Sequence, residues 1–541
     1  MRPAETSEAE VAESVREAAE FLVRSIVPAG HGRVVVEGIP ELLGQALAAL
    51  RDRGVCRDLL SLSVVDLTEE GGGLQLVHHL TAGQAGAVIE LWTRLPPGTT
   101  EGGAAAPEPV AAAPSSARQW PAAAWLEREA WEMHGVAFDG HPGLERLLLP
   151  SWWVGHPMRR DAARNRTAMP SGAGAMPPSA KEDVGGWATV ALPAIPMGGT
   201  LRLEVRSQGG KVTAARTGVG LLHRGVEALA EGRTWGGVLP LAARAAVRSS
   251  VHWQVAYATA VERLVGLEVP PRGWALRVAL MELERIADHL LSHATVLGIL
   301  GARPHAARAW ADRELVLDAM QMCTGGRVVH DVVAIGGVAA DAPQGWPERL
   351  GEVSEVCTRA VREHVEEARG LPQWDRLSGL APVHPDHMPG WGLSGPLVRA
   401  SDVGLDARLD GRAGGYSSHF SKPYTVKGGD ARARCELRLL EVAVSAKALG
   451  TIAASMPGGR VREEAPEEVP PGRALGVVED PRGELHCMVV SAGGPSPRRV
   501  HFRSPDLAHA AALGEVLIGV PVVDVPLAVA SVDICVGGVD R

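Results

Sequence analysis

Near the start of the chain the apolar positions change period several times. From Glu8 to Ile26, residues Val11, Val15, Ala18, Phe21, Leu22 and Val23 fall at helical spacing and predict one helix. Val34–Val36 reads as a short strand, Ile39–Arg53 as a helix, and Leu74–Leu80 and Ala87–Leu95 as two further strands. The stretch 96–118 is dominated by Ala, Pro, Gly and Ser and predicts a linker-like excursion. Helical spacing resumes over Trp125–His134, and Asp139–Asp161 is rich in loop residues. Ala162–Gly186 has no periodicity and reads as a second linker.

Beyond that point helices dominate. Val190–Val205 predicts a strand pair and Val219–Val265 a mostly helical stretch. The strongest element is Gly273–Leu300, where Leu276, Leu280, Leu283, Ile286, Ala287, Leu290 and Leu291 form one apolar stripe. Glu282, Glu284, Arg285 and Asp288 lie off that stripe. Ala306–Thr324, Trp346–Arg369, Arg432–Met456 and Ser504–Leu513 predict further helices, whereas Val516–Val539 reads as buried strands broken by Pro521, Asp524, Pro526 and Asp533. The class is α+β: a small α/β domain over 1–165, a linker over 166–186, and a mainly helical domain with small β-sheets over 187–541.

Composition narrows the possible functions. In 541 residues, 46% are hydrophobic and 22% charged, the balance of folded domains that bury their own cores. The net charge of −9 and the scattered basic residues leave no electrostatic footprint for nucleic acid. The six cysteines, Cys56, Cys323, Cys357, Cys435, Cys487 and Cys535, form no C-x-x-C pair and read as reduced thiols. Met1–Glu20 lacks the pattern of a signal peptide, and no apolar run reaches the ~20 residues of a membrane span. Attachment to the cytoplasmic face of a membrane is therefore expected through partners.

Two stretches carry a specific resemblance. Trp125-Leu126-Glu127-Arg128-Glu129-Ala130-Trp131-Glu132-Met133-His134-Gly135 is followed by Gly140-His141-Pro142 and Gly155-His156-Pro157-Met158-Arg159-Arg160-Asp161. This resembles the C subunit of complex I, the respiratory NADH–quinone oxidoreductase, and its counterpart in energy-converting hydrogenases. Gly220-Leu221-Leu222-His223-Arg224-Gly225-Val226-Glu227, Leu229–Thr234 and Glu282-Leu283-Glu284-Arg285-Ile286-Ala287-Asp288-His289-Leu290 form the second. With Gly395–Ser401, Asp406, Arg408, Gly429–Arg434 and the final Asp533–Arg541, it looks like the D subunit, the homologue of the nickel–iron hydrogenase large subunit. The resemblance covers residues 70–165 and 190–541 and implies a fused C/D chain.

A hydrogenase of this kind holds nickel and iron with four thiolates, because soft metals take soft anionic sulfur. The resemblance sets those positions at Ala246, Ser249, Cys535 and Gly538, so only one thiolate remains and no nickel–iron centre is expected. What remains implied is a quinone-type pocket beside an iron–sulfur cluster held by a partner. Tyr257 falls at the family's quinone-binding tyrosine, although a core residue with a backbone partner is the other reading. The family's pocket histidine and its aspartate are missing, from Ala194-Ile195-Pro196-Met197-Gly198-Gly199 and from near Ile299.

The resemblance sets His223, Arg224, Arg233 and Arg244 toward the partner's cluster, with ion pairing as the alternative. Asp406 and Arg408 stand near the former metal site, as a proton-handling pair or a structural salt bridge. Glu127, Arg128, Glu129, His141, His156 and Arg159 are expected where subunits meet. The implied partners are an iron–sulfur subunit of the complex I B type, a ferredoxin-like subunit and membrane ion-translocating subunits. No cofactor is expected on this chain alone, and quinone is expected at an interface.

Other candidates are weaker. His289 and His293 stand i, i+4 on a predicted helix without a third ligand, and His384-Pro385-Asp386-His387 is a polar loop. Neither G-x-G-x-x-G nor a P-loop occurs, so oxidation of NADH is assigned to another chain; ferredoxin or formate are alternative donors. Three functional classes stand open: an acceptor-cavity subunit of an ion-translocating oxidoreductase, a redox-silent structural adaptor in a hydrogenase-like or antiporter-like complex, and a disfavoured residual hydrogenase.

Overall fold

The computed structural model describes residues 8–82, 87–96, 111–160, 186–193, 196–385, 388–409, 411–416, 420 and 422–541. The first part is built on α1 (Glu8–Ala19), β1 (Val23–Gly30), β2 (Arg33–Gly38), α2 (Leu43–Asp52), β3 (Cys56–Asp66), β4 (Leu74–Ala82) and β5 (Ala87–Leu95). The five strands form one sheet in the order β1-β2-β5-β4-β3, with only β2 and β5 parallel. The helix expected to reach Ile26 stops at Ala19. The β-branched Val23, Ile26 and Val27, followed by Pro28, pair with β2 instead, and Phe21 is left exposed at the junction.

Next come β6 (Ala111–Pro114), α3 (Ala123–His134) and β7 (Val136–Asp139), with β6 and β7 parallel. The excursion predicted over 96–118 contains β6 from Ala111; its residues 97–110 lie outside the described ones, as does almost all of the linker over 166–186. Gly135, in the left-handed region at φ 77°, ends α3. A Cβ there would meet the His156 ring at 2.8 Å.

The second part begins with the sheet β8 (Ala188–Val190), β9 (Arg202–Gln208) and β10 (Lys211–Gly218). It continues through α4 (Val226–Glu231), α5 (Leu239–Ala245), α6 (Ser250–Val265), α7 (Pro271–Ile299) and α8 (Arg303–Thr324). A small ribbon of β11 (Val333–Ala334) and β12 (Gly337–Val338) precedes α9 (Trp346–Gly370), α10 (Met388–Trp391), α11 (Pro396–Arg399) and α12 (Ala431–Ala454). Then follow β13 (Gly472–Asp480), β14 (Gly483–Ser491), β15 (Arg499–Arg503), α13 (Pro505–Val516), α14 (Val525–Val532) and α15 (Val536–Val539).

Helices α7, α8, α9 and α12 pack as a bundle, and α6 lies between it and the antiparallel sheet β13-β14-β15. That sheet was not predicted. All five residues of Arg499–Arg503 are buried, so charged and apolar positions alike face protein and the usual alternation is hidden. The buried strands predicted over Val516–Val539 are instead the helices α14 and α15. Pro526 sits in the first turn of α14, where its missing N–H costs nothing. No helix among the described residues is long and apolar enough to cross a membrane.

The two parts meet along an edge of the first sheet. Arg499 and Arg503 of β15 donate to the carbonyls of Val64 and Leu60 on β3, each at 3.1 Å, and Arg498 donates to the Asp66 carbonyl at 2.7 Å. Edge groups that would be open to pairing with another chain are thus satisfied from within.

Candidate functional site

Ser249, Cys535 and Gly538 come together around one buried guanidinium, that of Arg482. Its Nη2 donates to Ser249 Oγ at 2.7 Å. Its nitrogens pair with Asp288 at 3.0 Å, Asp480 at 3.0 Å and Asp506 at 3.1 Å. Asp506 in turn accepts from the Cys535 N–H at 2.8 Å. A Cβ at Gly538 would collide with the Asp506 carboxylate, so the absence of a side chain there makes room for that acid.

Burial by itself would lower the Arg482 pKa, but the three carboxylates outweigh it and hold it well above the ordinary value. Burial pushes Asp506 up to about 6 against the pull of Arg482. Ala246, Ser249 and Gly538 have no thiolate, burial raises the Cys535 thiol, and charged side chains fill the space around them. A nickel–iron centre does not fit this donor set.

Beside this lattice lies a cavity of about 200 Å³. Gly198, Val247, Arg248, Ala287 and Asp288 are in its wall with Leu317, Met320 and His330, while Trp310 and Val328 are exposed members and Arg327 is half-buried. Val247 and Arg248 are the residues between Ala246 and Ser249. A Cβ on Gly198 would stand 3.5 Å from Val247 and 3.7 Å from the Cys535 sulfur. The cavity therefore adjoins the positions that the resemblance sets at metal ligands. Gly198 belongs to the loop whose first residues, Ala194 and Ile195, lie outside the described ones.

Tyr257 requires correction. It lies in the core of α6, absent from the lining of this cavity, and its hydroxyl donates to the Trp235 carbonyl at 2.9 Å. Burial raises the phenol well above its ordinary pKa. The residue is held where an apolar helix face needs a large ring and one backbone acceptor needs a donor.

Asp406 and Arg408 are paired, with Arg408 Nε and Nη2 donating to the two carboxylate oxygens at 2.9 and 2.6 Å. They belong to a buried cluster containing Glu282, Arg285, Arg399, Glu441 and Glu479. Arg399 joins Glu441 at 2.8 Å to Glu479 at 2.6 Å, and Glu282 accepts from Tyr416 and Ser445. The cluster reaches the first lattice where Arg285 donates to the Asp480 carbonyl at 3.1 Å. Burial would raise Glu282, yet Arg285 and Arg408 hold it at about 2; burial pushes Glu479 up to about 7 despite Arg399.

His223 and Arg224 line a second, apolar cavity of about 420 Å³ with Met133, Leu148, Trp153 and Met158. His223 Nδ1 is 3.1 Å from the Asp540 carbonyl, and Arg224 donates to the carbonyls of Arg244 and Ala245. Arg233 is exposed, and Arg244 is exposed and paired with Asp331 at 2.9 Å.

The residues expected where subunits meet are largely engaged within the chain. Glu127 is fully buried and accepts from Ser115 and Ser116, which ties β6 to α3. Arg128 donates to the carbonyls of Glu145 and Arg146. Glu129 pairs with Arg541 at 2.8 Å, a contact between the two parts of this same chain. His141 and His156 bond to the carbonyls of Ala124 and Glu132, where they shape the loops, and Arg159 is half-buried near Asp66.

His289 and His293 turn to different partners, Glu441 at 2.9 Å and the rings of His364 and Trp374. His384 lies in a loop, and Asp386 and His387 are outside the described residues. Arg248, Arg482 and Asp506 were missed as site residues. Arg248 was legible from its place between Ala246 and Ser249, whereas nothing local marks Arg482 or Asp506.

Together these features define a class: a small α/β domain joined to a larger, mainly helical domain with small β-sheets. Comparison with known proteins agrees. The model for the respiratory-chain NADH dehydrogenase 30 Kd subunit matches residues 36–168, and that for the 49 Kd subunit matches residues 300–474 and 466–541.

The C/D subunit of NADH-quinone oxidoreductase from Rhodopseudomonas palustris (strain BisB5) is 30% identical over 79% of this chain and 82% of its own. Its namesake in Gluconacetobacter diazotrophicus is 29% identical over 86% of this chain and 83% of its own. Among solved structures, a chain of the archaeal membrane-bound sulfane sulfur reductase, a respiratory membrane complex, superposes with a TM-score of 0.62. It is 28% identical and covers 66% of this chain and 98% of that one. The chain belongs to the family of fused C/D subunits of complex-I-type NADH-quinone oxidoreductases.

Proposed function

We propose that this chain forms the electron-acceptor cavity of a membrane-attached, complex-I-like oxidoreductase, with a quinone-type acceptor bound beside a partner's iron–sulfur cluster. The observation that carries this reading is the position of the 200 Å³ cavity, walled by Val247 and Arg248 between Ala246 and Ser249, which the resemblance sets at metal-ligand positions. Apolar walls with a few placed polar groups are what a flat, neutral ring needs. The space suits a headgroup rather than a whole isoprenoid quinone.

The partner would dock on the face bearing His223, Arg224, Arg233 and Arg244, whose positive charge favours an added electron on a nearby cluster. Membrane ion-translocating subunits and one of ferredoxin type make up the rest of the assembly, on the cytoplasmic face. Coupling to ion movement would pass through the Asp288–Arg482–Asp480 lattice to the Asp406–Arg408 cluster, since buried ion pairs respond strongly to a new neighbouring charge. The relatives are named for a quinone-reducing and a sulfane-sulfur-reducing complex.

The test uses the assembled complex. Leu317→Trp narrows the cavity without touching an ion pair. Quinone reduction is expected to fall at least tenfold, with reduction of the partner's cluster by donor preserved. Undiminished quinone turnover in a correctly assembled Leu317→Trp complex would favour the structural-adaptor role instead.

A further inference from the structure

The cavity wall contains several polar groups, and most are already engaged. Glu284 accepts from Ser250 Oγ, the Val251 N–H and the His252 ring. Asp288 is occupied by Arg248 at 2.7 Å and Arg482 at 3.0 Å. His330 Nδ1 is 2.9 Å from Thr324 Oγ1, and Arg313 Nε donates to the Ala287 carbonyl at 3.2 Å.

Arg248 is different. Its side chain is 6% exposed, its Nε meets Asp288 at 2.7 Å and its Nη1 meets Asp533 at 2.8 Å. Its Nη2 has no hydrogen-bond partner among the described residues. Two N–H donors left unmade in a buried site cost free energy that a ligand oxygen can recover.

We infer that Arg248 is the acceptor-binding residue of this cavity, its Nη2 donating to a carbonyl oxygen of a flat, uncharged ring. This rests on the acceptor-cavity reading above and adds the class of ligand and the group that holds it. The same wall disfavours anions: Asp288 and Glu284 contribute carboxylates, and the Arg248 charge is already balanced by Asp288 and Asp533. A polysulfide or phosphate would meet Glu284 and Asp288, while the wall's other cations are already engaged, Arg327 by Asp318 at 2.8 Å and by Glu314, and Arg313 by the Ala287 carbonyl. A neutral carbonyl gains a charge-assisted hydrogen bond without that repulsion.

The position also limits what Arg248 contributes. Burial alone would lower its pKa, but Asp288 and Asp533 hold it above the ordinary arginine value, so the guanidinium keeps its proton. It orients the acceptor and stabilises negative charge on it; protons for reduction must come from other groups.

The decisive variant is Arg248→Lys, which keeps a cation beside Asp288 and Asp533 but removes the forked nitrogen. Binding of menadione and of a short-chain ubiquinone to the full chain is measured by titration calorimetry, with melting temperature as the check on folding. Arg248→Lys is expected to weaken both quinones at least tenfold, as is Val247→Phe, which fills the cavity and leaves Arg248 in place.

Loss of binding in Val247→Phe with none in Arg248→Lys overturns the role of Arg248 and leaves the cavity reading standing. Full binding in both variants overturns both. Displacement of menadione by equimolar inorganic phosphate overturns the preference for an uncharged carbonyl. Should Arg248→Lys unfold, Arg248→Gln paired with Asp533→Asn keeps the local charge balanced, and quinone binding retained in that double variant overturns the role of Arg248.

Discussion

Tyr257 and Arg482 are the two side chains whose surroundings matter most. Tyr257 has a phenol that satisfies one buried carbonyl, that of Trp235. Tyr257→Phe should therefore cost about 1–3 kcal/mol, the penalty of one orphaned buried acceptor. A denaturant titration should show the lower midpoint, while quinone turnover of the assembled complex stays within twofold of normal. A large loss of turnover at unchanged stability would put the phenol back in the acceptor's path. Arg482 is the opposite case, since one guanidinium there balances Asp288, Asp480 and Asp506. Removing it leaves buried charges uncompensated, and Arg482→Met is expected to cost about 3–5 kcal/mol or to prevent folding. Soluble yield and melting temperature measure this directly.

At the scale of elements, α7 is the organising piece. It is buried on nearly all sides, and its charged residues Glu282, Glu284, Arg285 and Asp288 are accommodated by partners on other elements. The apolar stripe that predicts this helix is thus only part of its contact surface. Its pH response follows from the two acids of the adjoining cluster. Glu282, held down at about 2, contributes stability that is present above its ordinary 4.5 and is lost as the pH falls toward 2.

Glu479 behaves in the reverse sense, because its pKa is raised to about 7 from 4.5. Its contribution is full below 4.5 and lost as the pH rises through 7. Glu479→Gln should flatten the decline of the unfolding midpoint across that interval and leave the acid side unchanged. An undiminished slope in the variant would mean that Glu479 is ionised throughout.

Across the whole molecule, the seam between the two parts depends on long arginines rather than on a broad apolar face alone. Arg498, Arg499 and Arg503 donate to the Asp66, Val64 and Leu60 carbonyls, and Arg541 joins Glu129 to Glu227. Leu60, Val65, Val77, Val88 and Trp92 pack against Leu475, Val477 and Met488 across the same boundary. Arg499→Met and Arg503→Met together should uncouple the parts, so that one unfolding transition becomes two in calorimetry. A single transition at the original temperature would show that the apolar contact suffices.

The sequence by itself determined the elements whose signal is local. The long helices α7, α8, α9 and α12, the strands β2, β4 and β5, and the family motifs were legible because a helix stripe or motif spacing depends only on neighbours in the chain. The absence of a C-x-x-C pair was equally plain, since it is a matter of residue identity at spaced positions.

Only the tertiary structure decided the rest. The β13-β14-β15 sheet was hidden because its arginines, glutamates and histidines are buried by partners far away in sequence. Glu8–Ile26 divided into helix and strand because β2 offers Val23–Gly30 a pairing partner. Tyr257 lies in the core, and Arg248, Arg482 and Asp506 meet around Ser249 and Cys535, for one physical reason. A side chain's chemistry is written in its own position, but its burial and its charge partners come from elements that only the fold brings within a few ångströms.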